Sequence, residues 1–470
     1  YEICVNEVAT ARQLQPEKTI RQQPRDTACI MSIVHKDIVI IGAGPHALSL
    51  VAFLLEEDSM KYELVDGMHP SRISWNGLKE KLLFRAGSKR VFSDVQQDML
   101  QRRQTMRDRI LVVDPTGKWL DRWDTMFDGL GIPFLRSHIA IHCDPVDPSS
   151  LELFARERGI PEAQAYADVT DFTRSKDFRG PFFLPETGLF RQHTQSVIER
   201  YQLDKVIYQG KVSSIVFNSE ASTCGDGACD SRAAALGTGG RFQLHLEESA
   251  VTISARYVVS AIGHMNIPNI PDFVDQPFAD MTADERRKRG LLHAWEIASH
   301  LDKAVLAPSN LPTKRRDACT GASLLVVGGG LTSAHLCTLA VKNGFRSVTW
   351  ALRGDLKVRQ FDTDLSWSGR RRNIKLRQFL KEPSFAARVA AIRQARQGGS
   401  ITPAARSAIR SLVKTGKLIV ADQTEVWDVN WCEEHQCWKV CFSKQPFRAH
   451  EGTGNAKVSE GNTLIVTSSV

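Results

Sequence analysis

Two glycine-rich turns, nearly three hundred residues apart, carry the chemistry this sequence offers. The first lies in Asp37-Ile-Val-Ile-Ile-Gly42-Ala-Gly44-Pro45-His46-Ala47, the second in Ser323-Leu-Leu-Val-Val-Gly328-Gly-Gly330-Leu-Thr332-Ser333-Ala334. Each follows a short apolar run and opens a helix-like segment. Glycines there permit a tight turn and let a pyrophosphate approach the N–H groups at the start of the helix. One such turn is a weak signal. Two in a chain, with a different residue class after each following strand, are a stronger one. Two cradles imply two dinucleotides held together, most simply a flavin and the nicotinamide that reduces it.

The strand after each turn separates the two cofactors. A carboxylate at that strand's end accepts hydrogen bonds from ribose hydroxyls, which suits the adenosine of FAD. Two acids compete for the role in the first unit. Tyr62-Glu-Leu-Val-Asp66 has the conventional spacing, whereas Ile110-Leu-Val-Val-Asp114 is the cleaner strand. If the second is correct, residues 57–108 form a charged, loop-rich insertion; either acid could also merely end a strand. In the second unit Ser347-Val-Thr-Trp-Ala-Leu352-Arg353 ends in a guanidinium with no acid before it. That group grips a 2′-phosphate bidentately, so NADPH is expected over NADH. The plain alternative is a solvated arginine at a strand end. Ser333 can start the helix and donate to a phosphate, or be an ordinary N-terminal serine.

The elements that must position these residues spell an α/β chain with two Rossmann-like dinucleotide-binding domains, each with a β-hairpin or meander insertion. The expected division is an extension over 1–35, an FAD-binding domain over 36–290, an NADP-binding domain over 291–462, and a truncated return strand towards the FAD domain over 463–470. Strands are expected at Val212–Asn218, Arg241–Leu246 and Ala255–Ile262, with a Gly/Ala/Ser-rich loop at 219–240. The second unit repeats the plan: a strand at 417–420, a tryptophan-rich hairpin at 425–442, a soft loop, then Thr463-Leu-Ile-Val-Thr467. Between them runs a basic, helical segment, about 373–415, broken at Gly398-Gly399-Ser400. That order reads as an internal repeat.

Composition narrows the class. The chain has 470 residues, 42% hydrophobic and 24% charged, as in ordinary globular proteins. No apolar stretch approaches the roughly 20 residues of a membrane helix. The net charge of +8 invites a nucleic-acid reading, but the basic residues are scattered apart from Arg370-Arg371-Arg372. No nucleic-acid or membrane partner is expected. The ten cysteines contain no C-x-x-C. Cys224 and Cys229 have the C-x4-C spacing of flavin disulfide reductases but fall in a low-complexity stretch. Cys432, His435, Cys437 and Cys441 invite zinc; Trp427, Trp431 and Trp438 around them favour a hairpin with buried thiols, and no metal is assigned. A reducing, cytoplasmic setting fits this usage. The leader has no apolar core and four acids against four basic residues, so neither a secretory signal nor a transit peptide is expected, and Met31 would be a natural start.

Read together, Gly42-Ala-Gly44-Pro45-His46-Ala47, Asp114-Pro-Thr-Gly-Lys-Trp119, Leu135-Arg-Ser137-His138 through Asp144-Pro145, Val327-Gly328-Gly-Gly330-Leu-Thr332-Ser333 and Phe361-Asp-Thr-Asp364 through Gly398-Gly-Ser-Ile-Thr-Pro403 resemble flavin-dependent N-monooxygenases. This is the L-lysine/L-ornithine N-hydroxylase superfamily, more closely its uncharacterised bacterial and algal-type relatives. The match spans about 36–56 and 109–467. It selects Asp114 over Asp66, because in those relatives a D-P-S/T-G-x-W segment follows the second strand. It implies FAD on the first domain, NADPH on the second, O2 as oxidant, a small amine as substrate, and a loop around Arg136, Ser137 and Asp144 near the flavin. The implied mechanism delivers hydride from NADPH to the flavin, adds O2 to form a C4a-hydroperoxide, and lets a soft nucleophile take the distal oxygen. The protein supplies placement and excludes water, so no side chain is named as catalytic. His293 occupies the place of a linker histidine, but the surrounding F-x-G-x-x-x-H pattern is absent and a structural histidine is expected. In the family the last strand ends Ala-Thr-Gly before a segment that closes over the flavin; here it reads Thr467-Ser-Ser-Val470, so either the gene product is incomplete or the flavin lid is absent. The alternatives are an NADPH-dependent flavin reductase or oxidase, and a non-catalytic dinucleotide-binding redox protein.

Overall fold

The structure is a computed structural model. It describes residues 33–56, 89–173, 182–219, 240–263, 270–275, 278, 280–299, 323–363, 365–367, 372–396, 398–434, 437–442, 459–461 and 463–466. The chain divides into two compact units. Of the described residues, one unit holds those up to 120 together with 143–146 and 197–263; the other holds 121–142, 147–196 and those beyond 264.

In the first unit the strands are β1 (Ile33–Ile41), β2 (Ile110–Asp114), β3 (Ile207–Gln209), β4 (Val212–Ser219), β5 (Gly240–Leu246) and β6 (Thr252–Ser260). They lie side by side in the order β3-β2-β1-β6-β5-β4. The first four positions are parallel, and β5 and β4 add an antiparallel meander at one edge. The central strands read as continuous apolar runs because both faces are covered: Val39, Val113, Leu244, Ile253 and Ala255 share one fully buried cluster. Helix α1 (Pro45–Leu55) begins directly after the first glycine turn, with Pro45 preset for a first helical position. It buries Ala47, Leu48, Val51, Ala52 and Leu55.

The second unit repeats this wiring. Its strands are β7 (Leu291–His293), β8 (Ser323–Val327), β9 (Ser347–Ala351), β10 (Leu418–Ala421), β11 (Val426–Cys432), β12 (Cys437–Phe442), β13 (Ser459–Gly461) and β14 (Thr463–Val466). One sheet runs β10-β9-β8-β14-β7, parallel throughout. The other, β11-β12-β13, is antiparallel. In both units the strand before the glycine turn (β1, β8) is flanked by the strand after the turn's helix (β2, β9) on one side and by the strand after the hairpin (β6, β14) on the other. The shared order 3-2-1-4 is the core of the dinucleotide-binding fold. The expected fold class and internal repeat are both present.

Three details differ from the sequence reading. The stretch 57–108 is not loop-rich throughout, because α2 (Lys89–Arg109) occupies its second half. That helix is polar, so it shows little apolar periodicity; Gln104 supports it by donating to Asp108 one turn on (2.7 Å), and Arg103 and Arg107 anchor it to Glu56 and the Tyr201 carbonyl. The basic segment after β9 is three helices rather than two: α5, α6 and α7 are Arg372–Lys381, Phe385–Arg396 and Pro403–Lys414, following α3 (Asp121–Leu130) and α4 (Leu331–Lys342). Pro383 ends α5, since the residue before a proline avoids helical geometry. In the tryptophan hairpin, Cys437 is buried while Cys432 and Cys441 are half-buried. Asp66, Cys224, Cys229 and His435 lie outside the described residues.

Candidate functional site

At the first turn, Gly42 adopts φ +99, a conformation that favours glycine. Its N–H donates to Val113 O (2.8 Å), and Ala261 N donates to Ile41 O (2.8 Å), so the ends of β1, β2 and β6 bracket the turn. Gly44 is the N-cap of α1, has ordinary dihedrals, and offers no side chain to cap the helix. Among the described residues a Cβ added at Gly44 would meet nothing within 4 Å. Some helices are capped by a side chain, as Thr282 and Thr402 each accept an N–H of the helix that follows, and others, behind Ser149 and Pro161, are not. At Gly44 the helix terminus is left uncapped and sterically open. Those two properties fit a phosphate.

Asp114 ends β2 beside this turn. Its Oδ2 accepts the Ala43 N–H (3.0 Å), while Oδ1 accepts the N–H and hydroxyl of Thr116 (2.9 and 2.8 Å). The carboxylate therefore holds the glycine turn and the Asp114–Gly117 turn together, with acceptor capacity remaining on Oδ2. Pro45 is half-buried, Ala47 buried and His46 exposed. Trp119 is buried, its indole N–H donating to Leu203 O (3.2 Å). Asp144 accepts from Arg200 (2.5 Å) and from Val146 N (3.0 Å) within the same unit. Ser137 belongs to the second unit and is half-buried.

The second turn has the same build. Gly328 stands at φ +132, and its N–H donates to Ala351 O (3.0 Å). Its carbonyl accepts the indole N–H of Trp350 (2.6 Å), a fully buried side chain of β9. Gly330 is the N-cap of α4, again without a side-chain cap, and among the described residues a Cβ there would meet nothing within 4 Å. The helix starts at Leu331, so the N-cap is Gly330 and not Ser333, which is fully buried in the first turn beside half-buried Thr332. Arg353 lies exposed, two residues beyond β9, the strand adjacent to the turn.

Each turn and its strand-end partner are thus brought together inside one unit. Sequence reasoning missed the segment that touches the second turn. A Cβ on Gly399 would sit 3.4 Å from Gly329 O and from Gly330 Cα, so backbone packs on backbone here. The Gly398-Gly399 pair was the signal available, and it reads equally well as a simple helix break. His293 is buried in β7; its Nδ1 accepts the Trp295 N–H (3.2 Å), and burial pushes its pKa down to about 4. Among the described residues, no group of three or more His, Cys, Asp or Glu is arranged to hold a metal, and no helix is long and apolar enough to cross a membrane.

With this geometry established, solved structures supply a comparison. An ornithine hydroxylase from Pseudomonas aeruginosa superposes on 92% of this chain and 82% of its own at a TM-score of 0.53 and 13% identity. An L-lysine 6-monooxygenase from Pseudomonas syringae gives 0.52 at 13% identity, covering 92% and 80%. A cadaverine monooxygenase of desferrioxamine biosynthesis from Erwinia amylovora, bound to FAD, gives 0.50 at 15%, covering 92% and 78%. The chain shares their fold. No protein-family model matches it, and no curated protein matches it in sequence.

Proposed function

We propose that this chain is an FAD- and NADPH-dependent monooxygenase that hydroxylates the nitrogen of a small amine. The observation that carries this reading is the pair of open, uncapped helix starts at Gly44 and Gly330, each behind a positive-φ glycine in a 3-2-1-4 sheet. It is supported by the fold held in common with proteins named for hydroxylating ornithine, lysine and cadaverine.

In this reading Gly42, Gly44, Pro45, His46 and Ala47 hold the FAD pyrophosphate, and the free capacity of Asp114 accepts from its ribose. Trp119, in the same unit, completes the FAD contacts. Gly328, Gly330 and Thr332 hold the pyrophosphate of NADPH, buried Ser333 supports the first turn of α4 behind them, and Arg353 takes its 2′-phosphate. Bound FAD supplies the redox and oxygen chemistry; the chain's own task is to bind, orient and keep water out. No side chain is assigned as nucleophile or general base.

The test begins with an absorbance spectrum of the purified protein after FAD addition, followed by anaerobic reduction with NADPH and with NADH. Flavin bands bleached faster by NADPH support both cofactor assignments; a protein that stays colourless overturns them. NADPH consumed, H2O2 released and hydroxylated product formed are then counted with lysine, ornithine and cadaverine. Consumption matched by H2O2 alone, with every amine offered, would point to a reductase or oxidase instead.

A further inference from the structure

Arg136 projects from the Leu135–His138 turn onto two other loops of the second unit. Its Nε donates to Gln360 O (2.9 Å), and its Nη2 donates to Arg359 O and to the Ser400 hydroxyl (both 2.8 Å). Nη1 donates to Ser400 O (3.3 Å) and pairs with Asp362. A guanidinium has five N–H donors in one plane, and here all five have partners. The side chain is only 17% exposed.

The loop it fastens is the one that touches the second glycine turn. On one side Ile401 N donates to Lys357 O (2.9 Å) and Arg359 N to Ile401 O (2.8 Å), so 398–401 runs as a strap along 357–359. On the other side Gly399 abuts Gly329 and Gly330. A continuous path of contacts therefore runs from Arg136 through Ser400 and Gly399 to the backbone in front of α4.

We propose that Arg136 is a positioning residue for the dinucleotide turn of the second unit. By holding the 398–401 strap against Gly329–Gly330, it fixes the backbone amides that grip the pyrophosphate. This inference rests on the reading of the second unit as a nicotinamide dinucleotide site. Arg136 has no donor left for a ligand, so it acts only through the strap. Lysine does not replace it: three N–H groups on one nitrogen cannot reach acceptors spread along two loops in one plane.

The experiment compares wild type with Arg136→Lys, Arg136→Gln and the milder Ser400→Ala, all in the full chain loaded with FAD. NADPH dissociation constants, FAD dissociation constants and the rate of anaerobic flavin reduction are measured. Both arginine variants are expected to weaken NADPH about tenfold or more, and Ser400→Ala a few-fold, as one to two hydrogen bonds of orientation are lost. FAD affinity and the limiting reduction rate at saturating NADPH stay within about twofold. The Arg136→Gln/Ser400→Ala pair loses no more than Arg136→Gln alone, because the two groups share one contact. NADPH binding at wild-type strength in Arg136→Lys overturns the proposal, and so does a parallel loss of FAD, which would mark general unfolding. If wild type binds no nicotinamide dinucleotide, it is the reading of the second unit that fails. The clamp is then judged by hydrogen exchange of the amides at 328–334: faster exchange in Arg136→Lys supports it, and unchanged exchange overturns it.

Discussion

Replacing the two glycines of the first turn one at a time should break two different properties. Gly42 sits at φ +99, and a Cβ there would lie 2.7 Å from Ala261 O and 3.0 Å from its carbonyl carbon. Ordinary contact needs several tenths of an ångström more, and the obstacle is backbone at the end of β6, not a flexible side-chain tip. The positive φ alone costs roughly 1–2 kcal/mol for a non-glycine residue. Displacing the bonds from Gly42 N to Val113 O and from Ala261 N to Ile41 O adds about 1 kcal/mol each at most. Gly42→Ala should therefore destabilise the apoprotein by about 2–4 kcal/mol. Gly44 lies at φ −79, ψ 178, in open space at a helix N-cap. Aspartate suits that position: its carboxylate caps α1 and favours the helix dipole, so Gly44→Asp should leave stability unchanged or raise it by about 0.5 kcal/mol. The same carboxylate occupies the amides proposed for the pyrophosphate and repels it, so FAD affinity should fall at least about 100-fold. Urea unfolding of the apoproteins and flavin fluorescence titration separate the two effects. The reasoning is refuted if Gly44→Asp binds FAD like wild type, or if Gly42→Ala unfolds at the wild-type urea concentration.

Arg353→Ser should lower the preference for NADPH over NADH by about 10- to 100-fold while leaving NADH binding unchanged, measured as a ratio of dissociation constants; an unaltered ratio would reassign the 2′-phosphate contact. His293 has a folded pKa of about 4, depressed by burial from its ordinary value near 6.5. The unfolded chain thus takes up the proton first, so the stability this residue contributes is complete above about pH 6.5 and is lost as the pH falls towards 4, by up to about 3 kcal/mol. A His293→Phe variant that keeps the full wild-type loss of urea midpoint across that window would rule out His293 as its source. Gln360 is 6% exposed, and among the described residues neither Oε1 nor Nε2 of its side chain has a hydrogen-bond partner. Gln360→Leu should raise the melting stability by about 1–2 kcal/mol by removing an unsatisfied buried amide; a melt at or below that of wild type would show that the amide is satisfied.

Much of the architecture was legible because it is written in local patterns. Apolar runs of strand length, a glycine turn and a helix signal recur in order, so the two dinucleotide folds and their repeat could be read residue by residue. The apolar run of Ile110–Asp114 left Asp66 open as an alternative and the family resemblance selected Asp114; β2 pairs with β1 from Ile38↔Ile110 to Ile41↔Val113. Helix α2 was not legible, since its polar faces lack the periodicity that marks a packed helix. Nor was the packing of residues 121–142 and 147–196 with the second unit, although the strand just before them belongs to the first.

The side-chain assignments divide in the same way. Residue type and spacing by themselves nominated Gly42, Gly44, Gly328, Gly330 and Arg353 and left Asp66 and Asp114 both open, because the expected phosphate cradle is backbone bound to a short stretch of sequence. What only the tertiary structure decided is how those cradles are held. Asp114 grips Ala43 from 71 residues away, and Arg136 reaches Ser400 across 264. Such bonds depend on which loops the sheets carry into contact, and buried donors donate to whichever acceptor arrives within about 3 Å. No local pattern encodes that meeting.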